Sequence, residues 1–569
     1  MDRRQFLIYS ALMGGATMIP TILVGGKNEK YSFSKNIEEN SDEYNADIVI
    51  IGGGMGGCAT ALAACRNGLK VIMTEETKWI GGQVSQQGVP PDEHQWIETQ
   101  GASLNYRIYR NRIRDYYRNN YPLTEDAKSK TNLNPGDGSV SKICHEPIVS
   151  VQVLIGMLMP YISCGKLVIL LNTKAKKAET IGNNVIAITV ENLILNRKIV
   201  LTGSYFVDAT ELGDLLPLTK TEYISGAEAK ADTKELHALE KADPTNNQAF
   251  TICYAMDYVP GANLVIDKPK DYEFWKSYIP TLTPAWAPGH LLSLNYSAPN
   301  EPTVKATAHF DPERETKGFN LWKYRKIINR KNFIPGTYQS DITVVNWPQN
   351  DYMLGNIIDV SEEEFNRHVN AAKQLSLSLF YWLQTEVPRE DGKQGWPGLR
   401  LRSDLMGSED GMALYPYIRE SRRIKAMFTI LEEHVGKENR KLVSGDDKAC
   451  QFPDSVGIGY YHLDLHPSCR NNNYIDVDSL PFQIPLGALI PQRVNNLLPA
   501  CKDIGTTHMT NGCYRLHPVE WGIGEAVGYL VAFAKMKKVL PRTIYENRNL
   551  TVEFQNFIQK QGIEIRWNL

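Results

Sequence analysis

The sequence predicts an α/β fold, in which a parallel sheet with a three-stranded β-meander carries an inserted α+β lobe. Three observations predict it. A β-branched run at Ala46–Ile51 enters a glycine cluster, strand-like segments recur between Leu167 and Thr210, and the stretch 217–481 lacks a βαβ rhythm. The 569 residues are enough for two or three packed units rather than one core.

Composition excludes several classes of protein. The 62 basic and 64 acidic side chains give a net charge of −2, which does not suit a nucleic-acid-binding protein. A mean hydropathy of −0.33 excludes a polytopic membrane protein, and 22% charged residues without a low-complexity tract exclude a disordered scaffold. The nine cysteines form no C-x-x-C pair, so no zinc ribbon or other metal site is predicted.

The amino-terminal segment has the order of an export signal. Arg3 and Arg4 precede Phe6 and Leu7, and an apolar run extends to Val24. The Arg-Arg-x-Phe-Leu order resembles a twin-arginine signal, which predicts a periplasmic or other extracytoplasmic location. An uncleaved leader acting as a membrane tether is the alternative. We therefore interpret residues 1–25 as a leader or anchor and residues 26–44 as a polar linker.

The glycine cluster is the most informative motif. Gly52, Gly54 and Gly57 follow the first strand at G-x-G-x-x-G spacing. Such glycines permit a tight turn, a close approach of main chain to a pyrophosphate, and close helix–strand packing. Glu75 ends the next predicted strand, where a carboxylate can take both ribose hydroxyls of an adenosine. The motif predicts a Rossmann-type site for an adenine dinucleotide.

Later segments indicate which dinucleotide. Gly81-Gly82-Gln83 follows as a loop, and three segments resemble a meander before the return strand at Tyr205–Thr210. The predicted meander strands are Leu167–Leu171, Val185–Val190 and Arg197–Leu201. This order resembles FAD-dependent oxidoreductases of the glutathione-reductase and fumarate-reductase type. The phrases DATELGDLLPL, PYIRESRRI and GCYRLHPVEWGIGEA resemble a bacterial subgroup of them.

The resemblance implies FAD as the cofactor and a set of residues that contact it. These are Gly52, Gly54, Gly57, Glu75, Gly81, Gly82, Gln83, Asp208, Ala209, Asp503 and Gly524. The chain departs from the family pattern twice. Glu211 follows Asp208-Ala209-Thr210 where Ala-Thr-Gly is usual, and Cys501-Lys502 precedes Asp503 where Gly-Asp is usual.

The carboxyl-terminal part contains the candidate catalytic residues. Pro518 opens a predicted helix to about Lys538, whose amino end would stabilise negative charge on reduced flavin. His508 and His517 flank a predicted turn before it, and either could act as the base that a flavin dehydrogenation needs. Asn511 lies between them, and Arg515 could hold an anionic or carbonyl oxygen. His145 is a third candidate, or a covalent attachment point for flavin.

Other motifs have plainer interpretations. Ser361–Glu386 reads as a helix capped by Ser361. Arg419, Arg422 and Arg423 could bind an anion, but we favour a solvated helix face with i,i+4 pairs. His462 and His466 lack a third ligand, so no metal is predicted there.

These elements predict a cofactor domain in two parts, 45–216 and 482–545, an inserted substrate lobe at 217–481, and a carboxyl-terminal extension at 546–569. The favoured function is a dehydrogenase or oxidase that passes hydride from a small polar organic substrate to FAD. Oxygen, a quinone or a redox protein would then be the electron acceptor. Two alternatives stay open: a flavin monooxygenase or halogenase that needs a reductase, and a non-catalytic flavin-loaded binding protein.

Overall fold

The structure, a computed structural model, describes residues 42–314 and 316–569. The predicted leader and nearly all of the predicted linker lie outside these residues. The first strand begins at Asp42, so the strand predicted at Ala46–Ile51 is confirmed and starts four residues earlier. No helix in the described ranges is both long and apolar enough to cross a membrane.

A seven-stranded sheet with parallel and antiparallel parts organises the chain around the glycine turn. Its first six strands are β1 Asp42–Ile51, β2 Val71–Thr74, β3 Leu167–Leu170, β4 Thr173–Ile181, β5 Asn184–Asn192 and β6 Arg197–Asp208. Their order is β3-β2-β1-β6-β5-β4. Strands β3, β2, β1 and β6 are parallel neighbours, with Ile51 opposite both Thr74 and Asp208. The carboxyl ends of β1, β2 and β6 therefore meet at one edge, where ligands bind in such sheets.

The predicted meander is correct in two strands and wrong in the first. Leu167–Leu170 is a parallel strand beside β2, and the antiparallel meander consists of β4, β5 and β6. Six of the nine residues of strand β4 are Thr, Lys or Glu, and only two of the nine are buried, so hydrophobic patterning does not detect this strand. Strand β6 continues from the meander to the return strand as one element of 12 residues.

Four helices lie between these strands: α1 Met55–Arg66, α2 Leu104–Asn120, α3 Glu125–Ser129 and α4 Pro147–Ser163. Helix α1 is buried at every position except Arg66, because it packs between the sheet and a later helix. Its Ala-rich sequence leaves room for that close packing.

Residues 217–481, the middle region, contain mainly short elements; α5 begins two residues before this region, and β20 lies directly after it. The strands that follow β6 are β7 Tyr223–Ile224, β8 Phe250–Thr251, β9 Tyr254–Tyr258, β10 Asn295–Ala298, β11 Glu301–Thr307, β12 Lys326–Ile328, β13 Ile342–Val345, β14 Asp351–Tyr352, β15 Leu399–Leu401, β16 Arg423–Ile424, β17 Ser455–Gly459, β18 Leu463–Leu465, β19 Ile475–Val477 and β20 Phe482–Pro485. The helices that follow α4 are α5 Leu215–Leu218, α6 Lys230–Thr233, α7 Tyr272–Ser277, α8 Leu321–Tyr324, α9 Glu362–Thr385, α10 Ser403–Met406, α11 Glu432–Val435 and α12 Lys437–Ser444.

An antiparallel sheet of order β12-β13-β9-β15 packs in a second apolar core with α9. The predicted helix α9 is confirmed, and the Ser361 hydroxyl accepts the amide proton of Glu364 as its amino-terminal cap.

The chain then returns to the first sheet. Strand β21 Leu497–Pro499 pairs in parallel with β6, and the helices α13 His508–Tyr514, α14 His517–Lys537, α15 Pro541–Glu546 and α16 Arg548–Lys560 follow. The turn predicted between His508 and His517 is therefore largely a helix. Helix α14 lies against α1, and the Thr60 hydroxyl donates to the Gly524 carbonyl at 2.8 Å. This contact brings the amino end of α14 to the glycine turn.

Candidate active site

Two of the three motif glycines, Gly52 and Gly57, are required by close main-chain contacts. Gly52 has φ +103°, and an added Cβ would lie 2.1 Å from the Ala209 carbonyl oxygen. A Cβ on Gly57 would lie 2.1 Å from the Gly52 carbonyl oxygen. Gly54 instead caps α1 with ordinary φ, and its bare face points at two carboxyl groups, of Glu211 and Glu520. The turn is therefore tight at Gly52 and Gly57, and Gly54 leaves bare main chain for a ligand.

Glu75 ends β2 beside this turn. Its carboxylate accepts the amide protons of Gly53 at 3.0 Å and Thr77 at 2.8 Å, and the side-chain amide of Gln86 at 3.0 Å. Burial raises the pKa of Glu75 to about 7. Glu75 also lines a solvent-open cleft with Gly52, Gly54, Thr173, Lys174 and Ala209. The predicted ribose-binding carboxyl is therefore at the edge where a dinucleotide would lie.

The loop after Glu75 folds over the glycine turn. The Gly81 amide donates to the Gly53 carbonyl at 2.7 Å, and Gly81 and Gly82 both have positive φ. The Gln83 side-chain amide donates to the Arg515 carbonyl at 2.9 Å and to the Glu520 carboxylate at 2.5 Å. Loop residues 81–83 therefore join the glycine turn to the amino end of α14.

Asp208 and Asp503 lie together at the ends of β6 and β21. Asp208 accepts from the Thr210 hydroxyl at 2.7 Å and from the Leu215 amide at 2.8 Å, so it orders the loop after β6. Burial raises its pKa to about 7. Burial, together with the Asp208 charge, holds the pKa of Asp503 well above its usual range. Asp503 accepts from the Cys501 amide through Oδ1, and its buried Oδ2 has no partner among the described residues.

The two departures from the family pattern contact each other. The Lys502 ammonium forms a buried ion pair with Glu211 and lies 3.9 Å from Glu520 Oε2. Glu211, Cys501 and Glu520 also have ligand atoms close enough to hold a metal ion. The Lys502 cation bonds to that same group, so its charge opposes a second cation there. Sequence reasoning noted Glu211 and Lys502 separately and missed their pairing, because 290 residues separate them.

His517 and Arg515 stand at the amino end of α14. His517 Nδ1 accepts the Asp92 amide proton at 3.1 Å, so the proton of the neutral ring is on Nε2. Burial lowers the pKa of His517 to about 3. Arg515 donates to Asp464 Oδ2 at 2.9 Å, and its buried Nε has no partner among the described residues. Both side chains are therefore arranged as hydrogen-bond donors.

His508 has the opposite hydrogen-bond arrangement. Its Nδ1 lies 2.7 Å from Glu420 Oε1 and donates to that carboxylate, so the neutral ring has its lone pair on Nε2. Arg423 donates to the same Glu420 oxygen at 2.8 Å. His508 lines a cleft with Glu235, His466 and Ser468 of the middle region. His508, unlike His517, therefore has a ring nitrogen with a lone pair, and it lies at the junction of the middle region and α13.

Asn511 lies one turn after His508 on α13. Its side-chain amide donates to the Lys502 carbonyl at 2.9 Å, and its buried Oδ1 has no partner among the described residues. Asn511 therefore connects α13 to the turn after β21 that contains Lys502 and Asp503.

The solvated helix face predicted for Arg419, Arg422 and Arg423 is wrong. All three side chains are buried in an extended segment, and each pairs with carboxylates. Arg419 pairs with Asp351, Arg422 with Asp214 and Asp359, and Arg423 with Glu228 and Glu420. Most of these carboxylate partners lie far away in the sequence, so helical spacing does not predict the pairing.

Asp351 also links this arginine cluster to the cleft. It lies 2.5 Å from His466 Nδ1 and pairs with Arg419 at 2.9 Å. The cleft therefore has two carboxylate-backed imidazoles, His466 and His508.

His145 has no free ring nitrogen. Its Nδ1 lies 2.6 Å from the Ile143 carbonyl oxygen and its Nε2 lies 2.5 Å from the Ser150 hydroxyl. Burial lowers its pKa to about 4. The arrangement is that of a structural histidine rather than a base or an attachment point.

These residues fit an FAD. Gly54 offers bare main chain to a diphosphate, Glu75 offers a carboxyl to a ribose, and α14 points its amino end into the same region. Gln87, which is fully buried, leaves both amide atoms without a partner among the described residues. Buried polar atoms are rarely unpaired in a protein, so the Gln87 amide can bond to a polar ligand or an ordered water beside this loop.

Comparison with known proteins gives one strong match. A family described as FAD dependent oxidoreductase matches residues 47–557. No curated protein matches the chain. Among solved structures, a geranylgeranyl bacteriochlorophyll reductase-like protein from Thermoplasma acidophilum is 10% identical over 91% of this chain and 84% of its own, with a TM-score of 0.30. OxyS anhydrotetracycline hydroxylase from Streptomyces rimosus is 10% identical over 91% and 67%, with a TM-score of 0.31.

A third solved structure is similar over a shorter stretch. L-Proline dehydrogenase from P. horikoshii is 18% identical over 33% of this chain, with a TM-score of 0.16. The chain spans only 25% of that enzyme's length. These TM-scores are too low for the solved structures to indicate the function of this chain. The family match over residues 47–557 is the evidence for the family of the chain.

Proposed function

Because the chain belongs to the FAD-dependent oxidoreductase family, we propose that it oxidises a small polar organic molecule, with FAD as the hydride acceptor. Bound FAD supplies the two-electron redox chemistry. The observation that carries the proposal is the His508–Glu420 pair, 2.7 Å apart, in the cleft beside the middle region. We further propose a Rossmann-type cofactor domain and a substrate-binding role for the middle region.

His508 would act as the general base. Its Nε2 lone pair accepts a proton from the substrate hydroxyl or amine, and Glu420 stabilises the imidazolium that forms. Arg423 holds Glu420 in place at 2.8 Å, so the carboxylate keeps its orientation while His508 changes charge. A base with an oriented partner is the arrangement that proton abstraction requires.

Arg515 and His517 would orient the reactants instead. Arg515 Nε and His517 Nε2 are donors at the amino end of α14, and each suits a carbonyl or anionic oxygen. Asp464 fixes the Arg515 guanidinium, and the Asp92 amide fixes the His517 ring. Neither residue is placed to remove a proton.

Anaerobic reduction of the bound flavin tests this function. The purified protein is mixed without NADPH with pools of polyols, sugars, amines and carboxylic acids, and its visible flavin absorbance is followed. We expect one pool to bleach the flavin. Bleaching by NADPH alone would contradict the proposal in favour of a monooxygenase. A flavin that no pool and no nicotinamide reduces would favour a binding protein.

We also propose that the reaction takes place outside the cytoplasm. The support is the Arg3-Arg4 leader motif, which lies outside the described residues. Oxygen, a quinone or a redox protein would then reoxidise the flavin, because nicotinamide is scarce there. Export of a reporter fused to residues 1–45, and its loss in an Arg3→Lys/Arg4→Lys variant, tests the location.

A further inference from the structure

A buried charge pair stands beside the main chain that the FAD diphosphate needs. Glu211 and Lys502 form this pair, and their side chains are 7% and 0% exposed.

The pair lies directly against the glycine turn. A Cβ added to Gly54 would be 3.3 Å from Glu211 Oε1, and one added to Gly82 would be 2.9 Å from the same atom. That oxygen is buried and has no hydrogen-bond partner among the described residues. Glu211 therefore presents an unpartnered carboxylate oxygen to the face of Gly54 that a diphosphate approaches.

The surrounding cleft is acidic. Its carboxyl groups come from Glu75, Glu76, Glu211 and Asp214, and the one lysine among its lining residues is Lys174. Lys174 is already paired with Glu76 at 2.7 Å. An anionic diphosphate entering this cleft would be repelled by any carboxylate that is not neutralised. Lys502 is the buried cation that neutralises Glu211, one of two carboxyl groups whose Oε1 would lie 3.3 Å from a Cβ on Gly54. Glu520 is the other, and Lys502 lies 3.9 Å from its Oε2.

We propose that the balance of charge between Glu211 and Lys502 sets the affinity of the protein for the diphosphate of FAD. Lys502 acts as a positioning residue: it neutralises Glu211, so that a diphosphate can lie against Gly54. The inference concerns the cofactor and is independent of the substrate and of the base. Its failure would leave the proposed oxidation untouched.

The proposal predicts opposite effects from the two halves of one ion pair. In the full chain freed of FAD, Lys502→Met should weaken ADP binding by about tenfold or more, because it leaves an unpaired buried carboxylate beside the diphosphate. Glu211→Gln should keep or strengthen ADP binding. The double variant Glu211→Gln/Lys502→Met should return to within about threefold of the wild type. Adenosine, which lacks the diphosphate, should bind equally to all four proteins.

Calorimetric titration with ADP and adenosine, beside thermal unfolding, makes this test. A purely structural ion pair would lower stability in both single variants and weaken both ligands in parallel, which would overturn the proposal. ADP binding that stays weak in the double variant would also overturn it. Lys326→Met is the matched control: Lys326 is 7% exposed, pairs with Asp341 at 3.0 Å, and should affect stability without changing ADP affinity.

Discussion

Replacing Gly524 with alanine should separate helices α14 and α1, which pack together beside the glycine turn. An added Cβ on Gly524 would lie 2.1 Å from the Gly56 carbonyl oxygen and 2.6 Å from its Cα. Ordinary contact begins at 3.4 Å, so α14 must move away from α1 by about 1.3 Å. The obstacle is main chain, which cannot rotate aside as a side chain can.

The magnitude follows from two opposing effects. Alanine gains about 1 kcal/mol over glycine in a helix interior. Overpacking a close contact costs about 1–3 kcal/mol, and a main-chain clash of this depth belongs at the upper end. We therefore expect Gly524→Ala to lower the free energy of unfolding by about 1–2 kcal/mol. Gly522→Ala, in the same helix, meets only Ile484 Cδ1 at 3.7 Å and should raise it by up to about 1 kcal/mol.

Denaturant unfolding of both variants beside the wild type is the assay, with FAD content measured on each preparation. Because the two substitutions in one helix should change the free energy of unfolding in opposite directions, the comparison separates the effect of packing from that of helix propensity. A Gly524→Ala protein as stable as Gly522→Ala would refute the close approach of α14 to α1.

Two further predictions concern the cofactor residues. Gly54→Val should yield colourless protein, because the valine side chain fills the space beside Glu211 and Glu520 that the diphosphate needs. The control Gly156→Val, with nothing within 4 Å of its Cβ, should stay yellow. The visible flavin absorbance of the two purified proteins tests this prediction. The pKa of Glu75 in the folded protein, about 7, lies above its ordinary value of 4.5. Protonation of Glu75 therefore stabilises the folded state, fully below pH 4.5, and this stabilisation is lost as the pH rises through 7. Unfolding at pH 4.5 and 7.5 should therefore show a smaller pH dependence in Glu75→Gln than in the wild type, and identical slopes would contradict the buried state of Glu75.

Local sequence predicted the cofactor end of the fold well. The strand at Ala46–Ile51, the glycine turn and Glu75 depend on neighbours in sequence, and each is found where it was predicted. Gly524 and Gly528 also lie one turn apart in the sequence, and in the structure a Cβ on either would clash with the main chain of α1.

Elements that depend on tertiary contacts could not be predicted from the local sequence. Helix α13 has the sequence HMTNGCY, whose threonine, asparagine and glycine disfavour helix, yet the Thr507 hydroxyl caps it by accepting from Thr510 at 3.2 Å. The burial of Arg419, Arg422 and Arg423 depends mainly on carboxylates distant in sequence. The choice between His508 and His517 as base rests on hydrogen bonds to Glu420 and Asp92, which no spacing rule reveals.

The rate at which substrate reduces the bound flavin without oxygen, compared between the wild type and His508→Ala, tests the account most directly. The account predicts that His508→Ala retains its FAD and is reduced about a hundredfold more slowly. His309→Ala, at a histidine that is 41% exposed in the middle region, should be reduced at the wild-type rate. Reduction of His508→Ala at the wild-type rate would contradict the assignment of His508 as the base and of the cleft as the place of oxidation.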